Sequence, residues 1–331
     1  MRNSIFEQEE TFQDLSLRPK SIEKFVGQQR VVENLQVFID SAQKRNDSLD
    51  HVLFCGPPGL GKTTLAHIIS NELESRIHTT AGPLLSKAGD IAAILTNLHK
   101  NDILFIDEIH RLPSAVEEVL YPAMEDYHLD LIVGDGPAAK SIRINLAKFT
   151  LVAATTRIGM LSNPLRDRFG ITLRLDFYTV SELLQLLQQA AERLSVNIEN
   201  GAMIELAKRS RGTPRIALRL LKRVRDFLEV SDSDVITREF ADLALNKMEV
   251  DQFGLDKLDY TYMDFIAKNY SDNPVGIKTI AAAISEKEDS IEELIEPYLI
   301  KIGFLSRTQR GRRLTGKALD YLSTINSARL P

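Results

Sequence analysis

A chain of 331 residues, 44% hydrophobic and 26% charged, is too long for one ordinary domain and too apolar to be disordered. Its net charge of −5 restricts any nucleic-acid contact to a local basic patch, and no apolar run reaches the roughly eighteen residues that a membrane-spanning helix needs. One cysteine, Cys55, among six histidines excludes an internal disulfide framework and argues against structural zinc; with an acidic start that lacks an apolar core, it points to a cytoplasmic protein without a secretory signal.

Residues 1–50 are polar and mixed, apart from Val31, Leu35, Phe38, Ile39 and Ala42, whose spacing predicts a helix over 31–42. Residues 51–55 then form a short apolar run that ends in glycines and prolines, the pattern of a buried parallel strand. Similar runs recur at 103–106, 150–154 and 171–177, with a helix predicted over 63–73 from Leu65, Ile68, Ile69 and Leu73. This alternation predicts an α/β layer built on a parallel sheet. Between 126 and 150 it breaks: apolar alternation over 129–133 and 142–146 flanks Gly134-Asp135-Gly136-Pro137, which predicts a β-hairpin. After Phe177 the strands stop, and 180–194, 201–209, 214–228 and 237–247 read as helices of a small all-helical domain. Residues 251–255 read as a linker. From Asp256, three helical patterns lead to Gly303-Phe304-Leu305-Ser306 and a basic stretch, the order expected of a winged helix.

Gly56-Pro57-Pro58-Gly59-Leu60-Gly61-Lys62-Thr63 fits G-x-x-x-x-G-K-[ST] between a predicted strand and a predicted helix. Glycines let successive backbone N–H groups close around phosphate oxygens, and the helix N-terminus adds a favourable dipole. Lys62 is therefore expected to reach the β- and γ-phosphates of ATP, and the Thr63 hydroxyl to ligate Mg2+. The 103–106 run ends in Asp107-Glu108, which puts two acids at the carboxyl edge of the predicted sheet, where open α/β sheets bind ligands. Asp107 suits the Mg2+ shell and Glu108 the polarisation of an attacking water. Arg168 and Arg215 have the permanently charged, planar guanidinium that suits charge developing on a transferred phosphoryl. Alone, either reads as a solvated surface group, and the order of the motifs favours the catalytic role.

These motifs occur in the order phosphate loop, Asp-Glu pair, Thr155-Thr156 at a strand end, Arg168, then a helical domain with an arginine at its opening. In that order the chain resembles the AAA+ ATPases over residues 15–250. Among them it is similar, along essentially its whole length, to the family of bacterial Holliday-junction branch-migration motors. The stretches that narrow the resemblance are Leu17-Arg18-Pro19, 56–66, 107–112, 154–157, 164–170, 209–217, Pro274-Val275-Gly276 and Glu296-Pro297-Tyr298-Leu299. It implies an α/β AAA+ P-loop ATPase domain with helices on both faces of a parallel sheet (1–180). A small helical lid (181–252) and a winged-helix domain (255–331) follow, and the chain is implied to form a homohexamer. Thr156 is implied to sense the γ-phosphate, Arg168 to be a finger toward the neighbouring subunit's ATP, and Arg215 a sensor in cis. Leu17, Arg18, Gly59, Gly61, Thr64 and Tyr178 are implied nucleotide contacts, as are Glu125, Asp126 and Tyr127. The hairpin over 129–146 is implied to dock on the junction-binding protein RuvA, with the resolvase RuvC a further partner, and Arg307 and Arg312 to contact duplex DNA.

The charge distribution supports the last implication independently. Residues 256–300 hold ten acids and four bases, whereas 301–331 hold seven bases and one acid. Arg307, Arg310, Arg312, Arg313 and Lys317 thus make a local patch of phosphate-contacting type. No aromatic residue interleaves them, so backbone contact without sequence preference is expected. The eight bases over 208–225 are expected to serve nucleotide and subunit contacts instead. Two other readings stay open from the residues alone: a clamp-loader or protein-remodelling ATPase, and a nucleotide-gated DNA-binding module. Glu108 speaks against a pure switch.

Overall fold

The computed structural model describes residues 17–133, 140–270 and 273–329, so the 134–137 turn and the acidic start lie outside the described residues. The chain divides into two units: Ser16–Gly56 with Leu60–Asp176, and Pro57–Gly59 with everything from Phe177 onward.

The first unit is built on a five-stranded, all-parallel sheet in the order β2-β3-β6-β1-β7. Its strands are β1 (Val52–Cys55), β2 (Ile77–Ala81), β3 (Ile103–Asp107), β6 (Thr150–Thr155) and β7 (Ile171–Arg174). β1 and β6 are buried along their whole length, as expected for Val-Leu-Phe-Cys and Thr-Leu-Val-Ala-Ala-Thr covered by helices on both faces. β7 alternates buried Ile171 and Leu173 with exposed Thr172 and Arg174, the signature of an edge. β2 has no apolar run and was not predicted. Its sequence Ile-His-Thr-Thr-Ala is only half-buried, and pairing with β3, Thr79 opposite Phe105, holds it extended. Helices Ala88–Thr96 and Ser114–Glu125 were also not predicted; their Ile91, Leu95, Val116 and Leu120 share one core with Leu104 and Ile106.

Because all five strands run the same way, residues that follow a strand gather at one edge of the sheet and residues that precede one gather at the other. His51 marks the second, amino edge. Its Nε2–H donates to Met124 O at 3.0 Å, and its Nδ1 accepts the Leu151 N–H at 2.8 Å, which fixes a neutral tautomer. Burial holds this imidazole below its ordinary value of 6.5. The unfolded chain takes up a proton near that pH that the folded chain refuses, so this contribution is present above it and lost as pH falls toward the folded value. Chemical denaturation should give a lower midpoint at about pH 5 than at about pH 7, and His51→Gln should narrow the gap.

The predicted hairpin is present as β4 (His128–Val133) antiparallel to β5 (Lys140–Asn145), with Leu129 opposite Ile144. Leu129 is fully buried, and Ile144 and Leu146 pack against the core of the unit. Ile142 is 48% exposed. The ribbon is therefore rooted at Leu129 and Ile144 and leaves an apolar side chain uncovered further out.

In the second unit, helices Val180–Leu194, Asn200–Arg209, Pro214–Glu229 and Arg238–Lys247 match the four predicted ones closely. Helices Lys257–Tyr270 and Ile277–Ile284 follow, then a helical stretch from Glu288 to Lys301 that includes a π-turn at Ile291–Ile295. The ribbon of β8 (Leu305–Thr308) and β9 (Gly311–Leu314) and helix Gly316–Arg329 complete it. The stretch expected as a linker is held as a pinned turn. The Asp251 carboxylate accepts the Phe253 and Leu255 N–H groups at 2.8 and 2.7 Å and the Tyr260 and Tyr321 hydroxyls at 2.6 and 2.5 Å, while Leu255 is fully buried. An Asx-type turn can look like a flexible connector in sequence because both favour Asp and Gly. Two of the bases over 208–225 are also structural: Arg209 pairs with Asp242, and buried Arg211 pairs with Asp259 and donates to Gly254 O at 2.7 Å.

Candidate functional site

The loop that follows β1 has the backbone that phosphate binding requires. Gly56, Gly59 and Gly61 have φ of 146°, 77° and 101°, in the region that glycine tolerates and side chains do not. A Cβ at Gly56 would come within 2.4 Å of Leu175 O, so no other residue fits there. Gly61 caps helix Lys62–Glu72, whose first turn carries Lys62, Thr63 and Thr64. Buried Lys62 turns back so that its ammonium donates to Gly56 O at 2.7 Å, which places a positive charge within the loop.

β3 ends beside this loop's helix. Thr63 Oγ1 lies 3.4 Å from Asp107 Oδ2, a hydroxyl and a carboxylate together, which is the hard oxygen donor set that suits Mg2+. Glu108 follows in a left-handed conformation, φ 48°, and its N–H donates to Asp107 Oδ1 at 2.9 Å. A non-glycine residue in that conformation is strained, and the bond to the Asp107 carboxylate helps to hold it there. Arg111 Nε lies 3.2 Å from Glu108 Oε2, a partner that the sequence reading did not name. At the end of β6, between β1 and β3, the Thr155 hydroxyl is within 3.1 Å of His110 Nδ1 and accepts the Arg157 N–H. The Thr156 hydroxyl is different: it is buried and has no hydrogen-bond partner among the described residues. A buried hydroxyl of this kind at the carboxyl edge is available to donate to a ligand oxygen there. Leu17 is buried, and Arg18 is close enough to add to the burial that depresses His67 on the same helix as Lys62.

Arg168 lies elsewhere. It caps helix Asn163–Asp167 just before β7, so it sits at the amino edge with His51, whereas Lys62, Asp107 and Thr156 all follow strands and sit at the carboxyl edge. Gly170 confirms the placement, since a Cβ there would meet Asp50 at 3.2 Å. The Arg168 guanidinium stacks on the Tyr121 ring at 4.8 Å, reaches Glu125 Oε2 at 2.7 Å and donates to Pro164 O at 2.8 Å. Glu125, exposed Asp126 and Tyr127 belong to the same edge. Tyr127 packs edge-on against Phe149 at 6.0 Å, beside His51. The structure therefore does not bring Glu125, Asp126 or Tyr127 to the phosphate loop of their own chain.

In the second unit, whose contacts include Pro57–Gly59, the Arg215 N–H donates to Gly59 O at 3.3 Å from the first turn of helix Pro214–Glu229. Buried Tyr178 donates its N–H to Gly212 O at 2.8 Å.

Three sequence profiles together match most of the chain. Residues 17–175 match the Holliday junction DNA helicase RuvB P-loop domain, 178–251 the RuvB AAA lid domain, and 252–323 the RuvB C-terminal winged helix domain. The Holliday junction branch migration complex subunit RuvB of Rickettsia africae (strain ESF-5) is 58% identical over 316 residues, 96% of this chain and 92% of that protein. The chain belongs to the RuvB family. Its fold is that of the RuvB Holliday junction branch migration motor of Thermotoga maritima: 50% identity, TM-score 0.86, with 93% of this chain and 98% of that one covered. The chain is thus an AAA+ P-loop ATPase with a lid and a winged helix, and the phosphate loop, the Asp107-Glu108 pair and Thr156 form one constellation at the carboxyl edge of its sheet.

On the winged helix, Arg307 and Arg312 face each other across β8 and β9. Arg310 and Arg313 are exposed, whereas Arg312 is largely covered. Both Arg307 and Arg312 are ion-paired to Glu296, a residue that the sequence reading quoted only as part of a motif. Its role was illegible because its partners lie 11 and 16 residues away. No helix among the described residues is long and apolar enough to cross a membrane.

Proposed function

We infer that this chain couples ATP hydrolysis to branch migration of Holliday junctions, as a RuvB-family motor subunit in a homohexamer that works with RuvA and, in the cytoplasm, alongside RuvC. The observation that carries the multisubunit part is the division of the catalytic groups between the two edges of one parallel sheet. Lys62 and the glycine N–H groups hold the β- and γ-phosphates, and Thr156 donates to the γ-phosphate. Thr63 and Asp107 would hold Mg2+, which when bound neutralises phosphate charge. Glu108 takes the proton of the attacking water. Arg168, four residues of β1 away from the phosphate loop, cannot complete its own site. At about 3.3 Å per residue that strand separates the edges by about 13 Å, so the guanidinium serves the ATP of a neighbour that docks on the amino edge. Arg215 is taken as a sensor arginine in cis and Tyr178 as a nucleotide contact, and the three domains are taken as 1–180, 181–252 and 255–331.

Exposed Ile142 on the hairpin supports RuvA docking, because an uncovered apolar side chain on a projecting ribbon fits a partner's apolar groove. Ile142→Asp should abolish RuvA-dependent migration while ATP hydrolysis measured without RuvA keeps its rate. Ile144→Asp should instead lower thermal stability, since Ile144 packs on the core. The deciding experiment is branch migration of a synthetic four-way junction with and without RuvA. Migration that needs neither ATP nor RuvA would overturn the reading.

A further inference from the structure

Arg307 and Arg312 are direct cross-strand partners on one face of a two-stranded ribbon, an arrangement in which like charges repel. The side chain of Glu296, 0% exposed, lies between them. Its Oε2 accepts Arg307 Nε–H at 2.6 Å, and its Oε1 accepts Arg312 Nε–H at 2.8 Å and the Tyr262 hydroxyl at 3.0 Å. Glu292, one turn earlier in the π-turn, takes Arg312 Nη2 at 2.5 Å and lies 3.5 Å from Arg307 Nη2. The Arg312 backbone exchanges two hydrogen bonds with Val275, at 2.8 and 2.9 Å, which fixes that strand further. The two arginines consequently differ: the Arg312 side chain is 13% exposed and the Arg307 side chain 46%.

We propose that Glu296 is a positioning residue for duplex binding. Its buried carboxylate holds both guanidinium groups by their Nε atoms, neutralises the repulsion between the strands and turns the exposed edge of Arg307 toward a phosphate. This rests on the reading of the ribbon as a DNA contact. It makes a prediction opposite in sign to simple electrostatics. Removing a negative charge beside a phosphate-binding patch should tighten binding by Coulomb attraction alone. If Glu296 positions the arginines, its removal should weaken binding although the protein becomes more positive.

The test measures full-length protein on a fluorescently labelled duplex by anisotropy at several salt concentrations, with folding checked by circular dichroism melting. Arg307→Ala should flatten the log–log salt slope by about one. Glu296→Gln should weaken binding by about fivefold to tenfold near 0.1 M salt and flatten the slope by about one, which is the loss of one ordered phosphate contact. Tyr262→Phe, which changes no charge, and Glu292→Gln should each weaken binding by roughly twofold. A folded Glu296→Gln protein that binds as wild type or tighter overturns the proposal. Where Glu296→Gln does not fold, unchanged or tighter binding in both Tyr262→Phe and Glu292→Gln overturns it. An unaltered slope in Arg307→Ala removes the ribbon from DNA binding altogether, and the proposal with it. A flattened slope there, with tighter binding in the Glu variants, removes only the positioning role.

Discussion

Glu108→Gln should trap ATP on the protein, and Lys62→Ala should keep ATP from binding. The two residues sit within one constellation but act on different charges. Lys62 is buried, donates to Gly56 O and supplies a positive charge inside a loop of glycine N–H groups. Its replacement removes the ammonium that the loop itself supplies to the β- and γ-phosphates, so nucleotide affinity and turnover should fall together. Glu108 is shape-matched by glutamine, and the N–H that it donates to Asp107 would be retained, since a backbone group makes that bond. Binding should therefore survive, while loss of the general base slows hydrolysis by roughly 10²–10⁴-fold. Filter binding of labelled ATP, set beside single-turnover hydrolysis, separates the two outcomes. Wild-type turnover in Glu108→Gln would move the base to another residue.

Much of this site was legible because its chemistry is local in sequence. The phosphate loop is eight consecutive residues, and the strand it leaves, like those that end in Asp107 and Thr155, is a continuous apolar run that sits at the centre of the sheet. β2 escaped detection because an edge strand needs no apolar run, only a neighbour's free backbone groups. The pinning of the Asp251 turn was illegible for a similar reason, since Tyr260 and Tyr321 reach that carboxylate from 9 and 70 residues away. Glu296 is the clearest case. A glutamate within an otherwise helical run reads as a solvated side chain, and only the folded winged helix, which brings Tyr262 and both ribbon arginines to it, shows that it is buried.

The placement of Arg168 yields the prediction that bears most on assembly. Arg168→Ala should bind ATP nearly as wild type does and hydrolyse it about 10³- to 10⁵-fold more slowly, the range for loss of an arginine finger. Near-normal binding follows from the topology: the phosphate loop, Asp107 and Thr156 all lie at the carboxyl edge, and the Arg168 guanidinium is held by Tyr121, Glu125 and the Pro164 carbonyl at the amino edge. If the finger acts on the neighbour's ATP, each active site joins the Lys62 of one chain to the Arg168 of the next. Mixing Arg168→Ala with Lys62→Ala protein then creates some junctions in which both groups are intact, and ATPase activity should reappear although each parent is inactive. With equal amounts and random assembly, about a quarter of the interfaces should be competent, so the recovered rate should peak near equal mixing and vanish at either end. Native mass spectrometry of the mixture establishes that the two chains co-assemble. Co-assembly without recovered hydrolysis would place Arg168 outside the trans site and leave its stacking on Tyr121 as a purely structural contact within the first unit.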